Sequence, residues 1–199
     1  MNVAVLDYGI GNIHSLVKAL EAGGARVGVE TDAARAVRYE ALVLPGVGAF
    51  GAAAGVLAPV APALRAAIAG GLPCLGICLG MQLLFDTSEE GLGMGLGVMP
   101  GHVRRMRARR VPHMGWNTFE RTTHDPIFSN LDDNIVYYAN SFVVEPSNAG
   151  DVIAVTEYNG ERFVAAVRRD RTWGVQFHPE KSGTTGLQFL RNFLRQVGS

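Results

Sequence analysis

Leu72-Pro73-Cys74-Leu75-Gly76-Ile77-Cys78-Leu79-Gly80-Met81-Gln82-Leu83-Leu84-Phe85 decides the fold. It begins as a short apolar run of strand type, passes through Gly-x-Cys-x-Gly, and continues as an apolar stretch that reads as helix over residues 80–85. A strand that turns at once into a helix leaves no room for side chains flanking the turning residue. Glycine is therefore needed at Gly76 and Gly80, and Cys78 is lifted above the sheet edge. The pattern is a nucleophile elbow with cysteine in the serine position. Cysteine suits it because a helix N-terminus and a nearby imidazolium both favour thiolate over thiol. Cys74, inside the strand and without glycine flanks, reads as core.

Working outward, residues 3–6 form a short apolar strand, and Asp7-Tyr8-Gly9-Ile10-Gly11-Asn12 turns into a helix whose apolar face includes Ile13, Leu16, Val17 and Leu20. Arg26–Glu30 and Ala41–Leu44 follow as strands, and residues 51–70 as an Ala-rich helical region interrupted at Pro59 and Pro62. Strands alternating with helices imply an α/β fold, an open and mostly parallel sheet with helices on both faces. Beyond Asp86 a glycine-rich stretch leads into strand-like segments, so an antiparallel extension is expected. Residues 153–158, Asn159-Gly160 and residues 162–167 read as a hairpin on a type I′ turn. A last strand over residues 172–177 ends at His178, and residues 185–197 carry the spacing of an amphipathic closing helix. No repeat or linker interrupts the 199 residues, which are expected to form a single domain over 1–199.

The formal net charge is zero, with 18 basic and 18 acidic residues, so no global field attracts nucleic acid or an anionic membrane. Residues 104–110 are nonetheless a basic run, which reads as a solvated face. There is no signal-peptide pattern and no apolar run long enough to span a bilayer. The two cysteines, four apart, suggest neither a disulfide framework nor a C-x-x-C motif, and a cytoplasmic location is expected. Gly9-Ile10-Gly11-Asn12-Ile13-His14 fails as a dinucleotide fingerprint because His14 stands where Gly or Ala is needed. The histidine spacings suggest no metal site, and no cofactor is expected.

His178 sits at a strand end, the usual place for site residues in open α/β sheets, and Glu180 lies two residues on, where its carboxylate can reach the far ring nitrogen. Cys78, His178 and Glu180 are thus a candidate triad. The acid follows the histidine, unlike the order in α/β-hydrolases, which disfavours an esterase. Pro45-Gly46-Val47-Gly48 follows the strand Ala41–Leu44, so the Val47 N–H, with the Leu79 N–H, is placed to stabilise an oxyanion. A plain tight turn explains that loop about as well. Gln82, one helical turn beyond Cys78, is a candidate substrate contact.

The segment from Leu75 to Leu84, together with His178-Pro179-Glu180, resembles the class I glutamine amidotransferases. Asp7-Tyr8-Gly9-Ile10-Gly11-Asn12, Pro45-Gly46-Val47-Gly48, Pro112-His113-Met114-Gly115-Trp116-Asn117 and the continuation to Lys181-Ser182-Gly183 look like one branch of that family, the glutaminase subunits of imidazole glycerol phosphate synthase. The resemblance implies a flavodoxin-like fold and hydrolysis of glutamine to glutamate and ammonia through a glutamyl thioester on Cys78. His178 would serve as acid and base, with Glu180 orienting it. It further implies delivery of ammonia to a (βα)₈-barrel cyclase subunit in a heterodimer, for histidine biosynthesis. By position, Gly48, Gln82, Ser141 and Phe142 match glutamine-binding places, and Asn12, Trp116, Asn117 and Lys181 match the partner-facing surface. Asn140 and Phe142 depart from the family pattern, where histidine and tyrosine are common. A glutaminase serving another synthase and a silent binding module with the same fold are the competing readings. Residues 112–117 argue against the first, and the intact triad argues against the second.

Overall fold

The computed structural model describes residues 1–9 and 13–198. Its elements in chain order are β1 (Asn2–Leu6), α1 (His14–Ala22), β2 (Arg26–Glu30), α2 (Ala33–Ala36), β3 (Ala41–Leu44), α3 (Phe50–Leu57), α4 (Ala61–Ala69), β4 (Cys74–Ile77) and α5 (Leu79–Gln82). There follow β5 (Thr87–Ser88), β6 (Gly101–Arg105), β7 (His113–Thr118), β8 (Glu120–Arg121), β9 (Ile135–Asn140), β10 (Phe142–Pro146), β11 (Val152–Tyr158), β12 (Glu161–Arg169), β13 (Thr172–Val175) and α6 (Gly183–Val197).

The main sheet has the order β2-β1-β3-β4-β13-β12-β11-β8. Its first five strands run parallel, in the 2-1-3-4-5 order of a flavodoxin-like sheet. β12, β11 and β8 extend it antiparallel, as expected after Asp86. Two smaller sheets stand apart, β10-β6-β5 and the ribbon β7-β9.

Both faces of the parallel sheet are covered, and the strand period of two divides the core. Val3 and Val5 of β1 join Leu16 and Leu20 of α1 and Phe189, Leu190 and Phe193 of α6. Ala4 and Leu6 join Phe50, Leu57, Leu64 and Ile68 on the other side. Each fully buried Leu or Phe contributes about 1.5–3 kcal/mol. The hairpin of β11 and β12 turns at Asn159 and Gly160, whose φ values of 49° and 86° are those of a type I′ turn.

Three expectations need correction. The helix after Cys78 is a single turn, Leu79–Gln82, and does not continue to Phe85. The Leu83 N–H still bonds Leu79 O, but the Leu84 and Phe85 N–H groups bond Met81 O and Gln82 O three residues back. The chain thus tightens into a 3-10 turn, and the Leu83, Leu84 and Phe85 carbonyls accept from residues 96–99. The last strand stops at Val175, two residues short of Phe177, because His178 donates its N–H to Tyr137 O on β9, outside the main sheet. Residues 104–110 are not uniformly a solvated face. Arg104 is buried and ion-paired with Glu145 and Glu161. A buried guanidinium with two carboxylates is a structural tie, and losing one partner strands a charge. Among the described residues no single helix is long and apolar enough to cross a membrane.

Candidate active site

Cys78 stands between β4 and α5 with φ 52° and ψ −106°, a conformation that costs a non-glycine residue on the order of 1–3 kcal/mol. Its neighbours hold it there. The Cys78 N–H donates to Val175 O at 2.7 Å. A Cβ on Gly76 would lie 2.6 Å from Gly80 O, and one on Gly80 would lie 1.8 Å from Leu44 O. The glycine requirement read from the sequence is therefore backbone crowding on both sides of the turn. Gly46 packs against the elbow as well, since a Cβ there would fall 2.9 Å from the Leu79 Cβ.

The Cys78 sulfur lines a cavity of about 190 Å³. Val47, Gly48, Leu79 and Gln82 form one side of it, and Met114, Asn140, Ser141 and Phe142 another. Among the described residues neither the Val47 nor the Leu79 N–H has a backbone partner, which leaves both available to an oxygen in the cavity. Gly48 has φ 149°, in the range that glycine tolerates.

His178 is buried beside Cys78. Its Nδ1 is 2.8 Å from Glu180 Oε1, and Glu180 rides on the 3-10 turn Pro179–Lys181. Nε2 is buried and closes no hydrogen bond among the described residues. Burial by itself lowers the basicity of the ring. Interaction with the Cys78 sulfur and with Glu180 outweighs that and pushes the His178 pKa up to about 10. The arrangement is that of an imidazole held between a carboxylate and the cysteine sulfur. Cys74, by contrast, is sealed in β4, and burial pushes its thiol well above the ordinary range.

Two residues of the site went unnoticed in the sequence. Gln176 is fully buried and donates from Nε2 to Cys78 Sγ at 3.4 Å. Its Oε1 accepts from Gln82 Nε2, which also donates to Phe142 O. Gln82 thus braces the cavity wall as well as lining it. The signal for Gln176 was a lone amide inside the apolar run Trp173-Gly174-Val175-Gln176-Phe177. Glu90 also lines the cavity, and its Oε2 accepts the Phe50 N–H at the start of α3. No sequence motif flagged it.

The surface residues divide. Trp116 is 58% exposed on β7, edge-on to Tyr137 of β9, and the Lys181 ammonium lies 5.7 Å from the Tyr137 ring centre. These three form one outward face. Asn117 is next along the strand and so turns to the opposite face, where it donates to Glu157 O. Asn12 lies outside the described residues. Among the described residues no group of three or more His, Cys, Asp or Glu side chains could hold a metal ion.

Residues 4–197 match the family model described as Glutamine amidotransferase class-I. The chain is 44% identical over 204 aligned residues to a protein of Synechococcus elongatus named imidazole glycerol phosphate synthase subunit HisH, covering 99% of this chain and 94% of that one. A protein of the same name from Halobacterium salinarum is 43% identical, covering 97% and 92%. Among solved structures, the crystal structure of a glutamine amidotransferase superposes with a TM-score of 0.79 at 20% identity, covering 99% of both chains. The structure of PurLQS from Thermotoga maritima gives 0.77 at 21%, covering 98% and 97%. The last two speak to fold, the first three to descent, and together with the elbow geometry they lead to one statement: the chain belongs to the class I glutamine amidotransferases.

Proposed function

We propose that this chain is the glutaminase subunit of an imidazole glycerol phosphate synthase, hydrolysing glutamine and supplying ammonia to a (βα)₈-barrel cyclase subunit for histidine biosynthesis in the cytoplasm. The observation that carries the chemistry is the chain of contacts from Cys78, which lines the cavity, to the buried His178 ring beside it and on to Glu180 at Nδ1. The relatives' shared name carries the pathway.

Glutamine enters with its side-chain amide over Cys78. The thiolate attacks the amide carbon, and the oxygen that becomes negative is stabilised by the Val47 and Leu79 N–H groups, each worth on the order of 3 kcal/mol. His178 passes a proton from Nε2 to the departing nitrogen, and ammonia leaves a thioester on Cys78. The ring, now neutral, takes a proton from water as hydroxide attacks the thioester carbon. The C–S bond then breaks to return the thiolate beside the imidazolium, and the new carboxyl leaves as glutamate, its proton going to solvent. Glu180 fixes the ring tautomer through Nδ1. The Glu90 carboxylate offers a counter-charge for the substrate ammonium, and Gly48, Gln82, Ser141 and Phe142 enclose the rest. The exposed face of Trp116, Tyr137 and Lys181 receives the cyclase.

Cys78→Ala tests this directly. Glutamate release falls by about 10⁴-fold or more, while the melting temperature and partner association stay close to those of the unaltered chain, because the thiol contributes little packing. Residual turnover at the unaltered rate would remove the mechanism. Mixing the purified chain with a cyclase subunit and its ligand is expected to raise glutamate release strongly above that of the chain alone.

A further inference from the structure

β13 ends at Val175, so His178 leaves the sheet with neither of its backbone groups in a strand ladder. Four hydrogen bonds replace the ladder, one of them local, from the Lys181 N–H to His178 O at 3.0 Å, and three that reach β9. The His178 N–H donates to Tyr137 O at 2.8 Å. The Ser182 hydroxyl donates to His178 O at 2.6 Å, and Ser182 Oγ accepts the Tyr137 N–H at 2.9 Å. The ring is closed: both backbone groups of His178 are tied to both backbone groups of Tyr137, one pair directly and the other through a single hydroxyl.

Ser182 occupies the N-cap position of α6, the place where a serine normally bonds its own helix. Here its side chain makes no cap bond, and the hydroxyl points back into the site instead. It is 2% exposed, so water cannot replace it. A serine that forgoes its cap to bridge the strand and the histidine is committed to holding that histidine.

We propose that Ser182 is a positioning residue for His178, setting the distance of its ring from Cys78 by locking the histidine backbone to β9. The proposal rests on the glutaminase reading only for what the ring does, not for where it stands. Tyr137 presents its ring outward between Trp116 and Lys181, so whatever seats on that face bears on the strand from which the histidine hangs.

The test compares the full chain with Ser182→Ala, each with the cyclase subunit for glutamine turnover and each alone for alkylation of Cys78 by iodoacetamide across pH. Cys74 is sealed and does not compete. The titratable groups beside the histidine ring are Cys78 and Glu180. A displaced ring is expected to lower kcat about tenfold or more with KM within about twofold, and to move the midpoint of the alkylation profile. A loss confined to folding would lower both rates with the folded fraction and leave the profile in place, and that result, or kcat within about twofold of the unaltered chain, overturns the proposal. If the unaltered complex releases no glutamate while the alkylation midpoint still moves in the variant, the glutaminase reading fails and the positioning role stands. Should the variant fold too poorly, amide exchange in the unaltered chain decides. The Tyr137 and His178 N–H groups are expected to be protected together, and free exchange of Tyr137 overturns the closed ring.

Discussion

Two histidines, both buried, sit in opposite electrostatic settings. His113 of β7 is stacked between Tyr138 at 4.6 Å and Tyr158 at 3.9 Å, with the edge of Phe163 beside it. Its Nδ1 is buried without a partner among the described residues, and burial pushes its pKa down to about 4. His178 suffers the same penalty but faces Cys78 and Glu180, and its pKa stands at about 10. Removal from water only weakens an imidazole as a base. What turns a core histidine into a proton carrier is a sulfur on one side and a carboxylate on the other, and the fold supplies these to one ring and aromatic faces to the other.

Removing the anion is the sharpest way to break that contrast. Glu180→Gln keeps the shape at Nδ1 but not the charge, and it is expected to lower kcat by roughly 10²–10⁴-fold. By NMR, the His178 ring should then titrate at lower pH, moving in the direction of His113. An unchanged titration would show that the sulfur alone sets the histidine.

A second effect, smaller and on stability, comes from linkage. The folded His178 pKa lies above its ordinary 6.5, so its contribution is fully present below about pH 6.5 and is lost as pH rises through about 10. His113 is the reverse case. Its folded pKa lies below 6.5, so its contribution is full above about pH 6.5 and is lost as pH falls toward 4. Calorimetry is therefore expected to show the melting temperature declining on both sides of a maximum near neutrality, with the alkaline limb flattened in His178→Asn and the acid limb flattened in His113→Phe. Limbs that persist in both variants would assign them to other groups.

The smallest effect is expected from His113→Phe at neutral pH. The ring stack survives and the orphaned Nδ1 disappears; Asn117 loses its 3.4 Å contact with His113 Nε2 but keeps its bond to Glu157 O. Stability is expected to be equal or slightly higher, with glutamine turnover within about twofold by steady-state assay. A large loss of turnover would give His113 a role beyond the core.

Much of this was legible in the chain because it is local. The strands Arg26–Glu30 and Ala41–Leu44 follow from short apolar runs, and the Asn159-Gly160 turn from the only backbone geometry that dipeptide favours in a two-residue hairpin. The elbow was readable because a steric demand leaves glycine as its trace. Arg104 was misread for the opposite reason. Nothing near it in sequence distinguishes it from its exposed neighbours, and its partners, Glu145 and Glu161, lie 41 and 57 residues away. Gln176 and Glu90 were missed likewise, since each owes its place to contacts with residues remote in sequence, Cys78 and Phe50.

The sequence by itself determined which atoms could do the chemistry: a sulfur raised by flanking glycines, an imidazole, and a carboxylate two residues beyond it. Only the tertiary structure decided that the histidine would hang from β9 and not from its own strand, and that one buried histidine would meet a sulfur and a carboxylate and the other tyrosines. Proton affinity and position are set by neighbours in space, and a neighbour in space leaves a mark in sequence only when sterics force one.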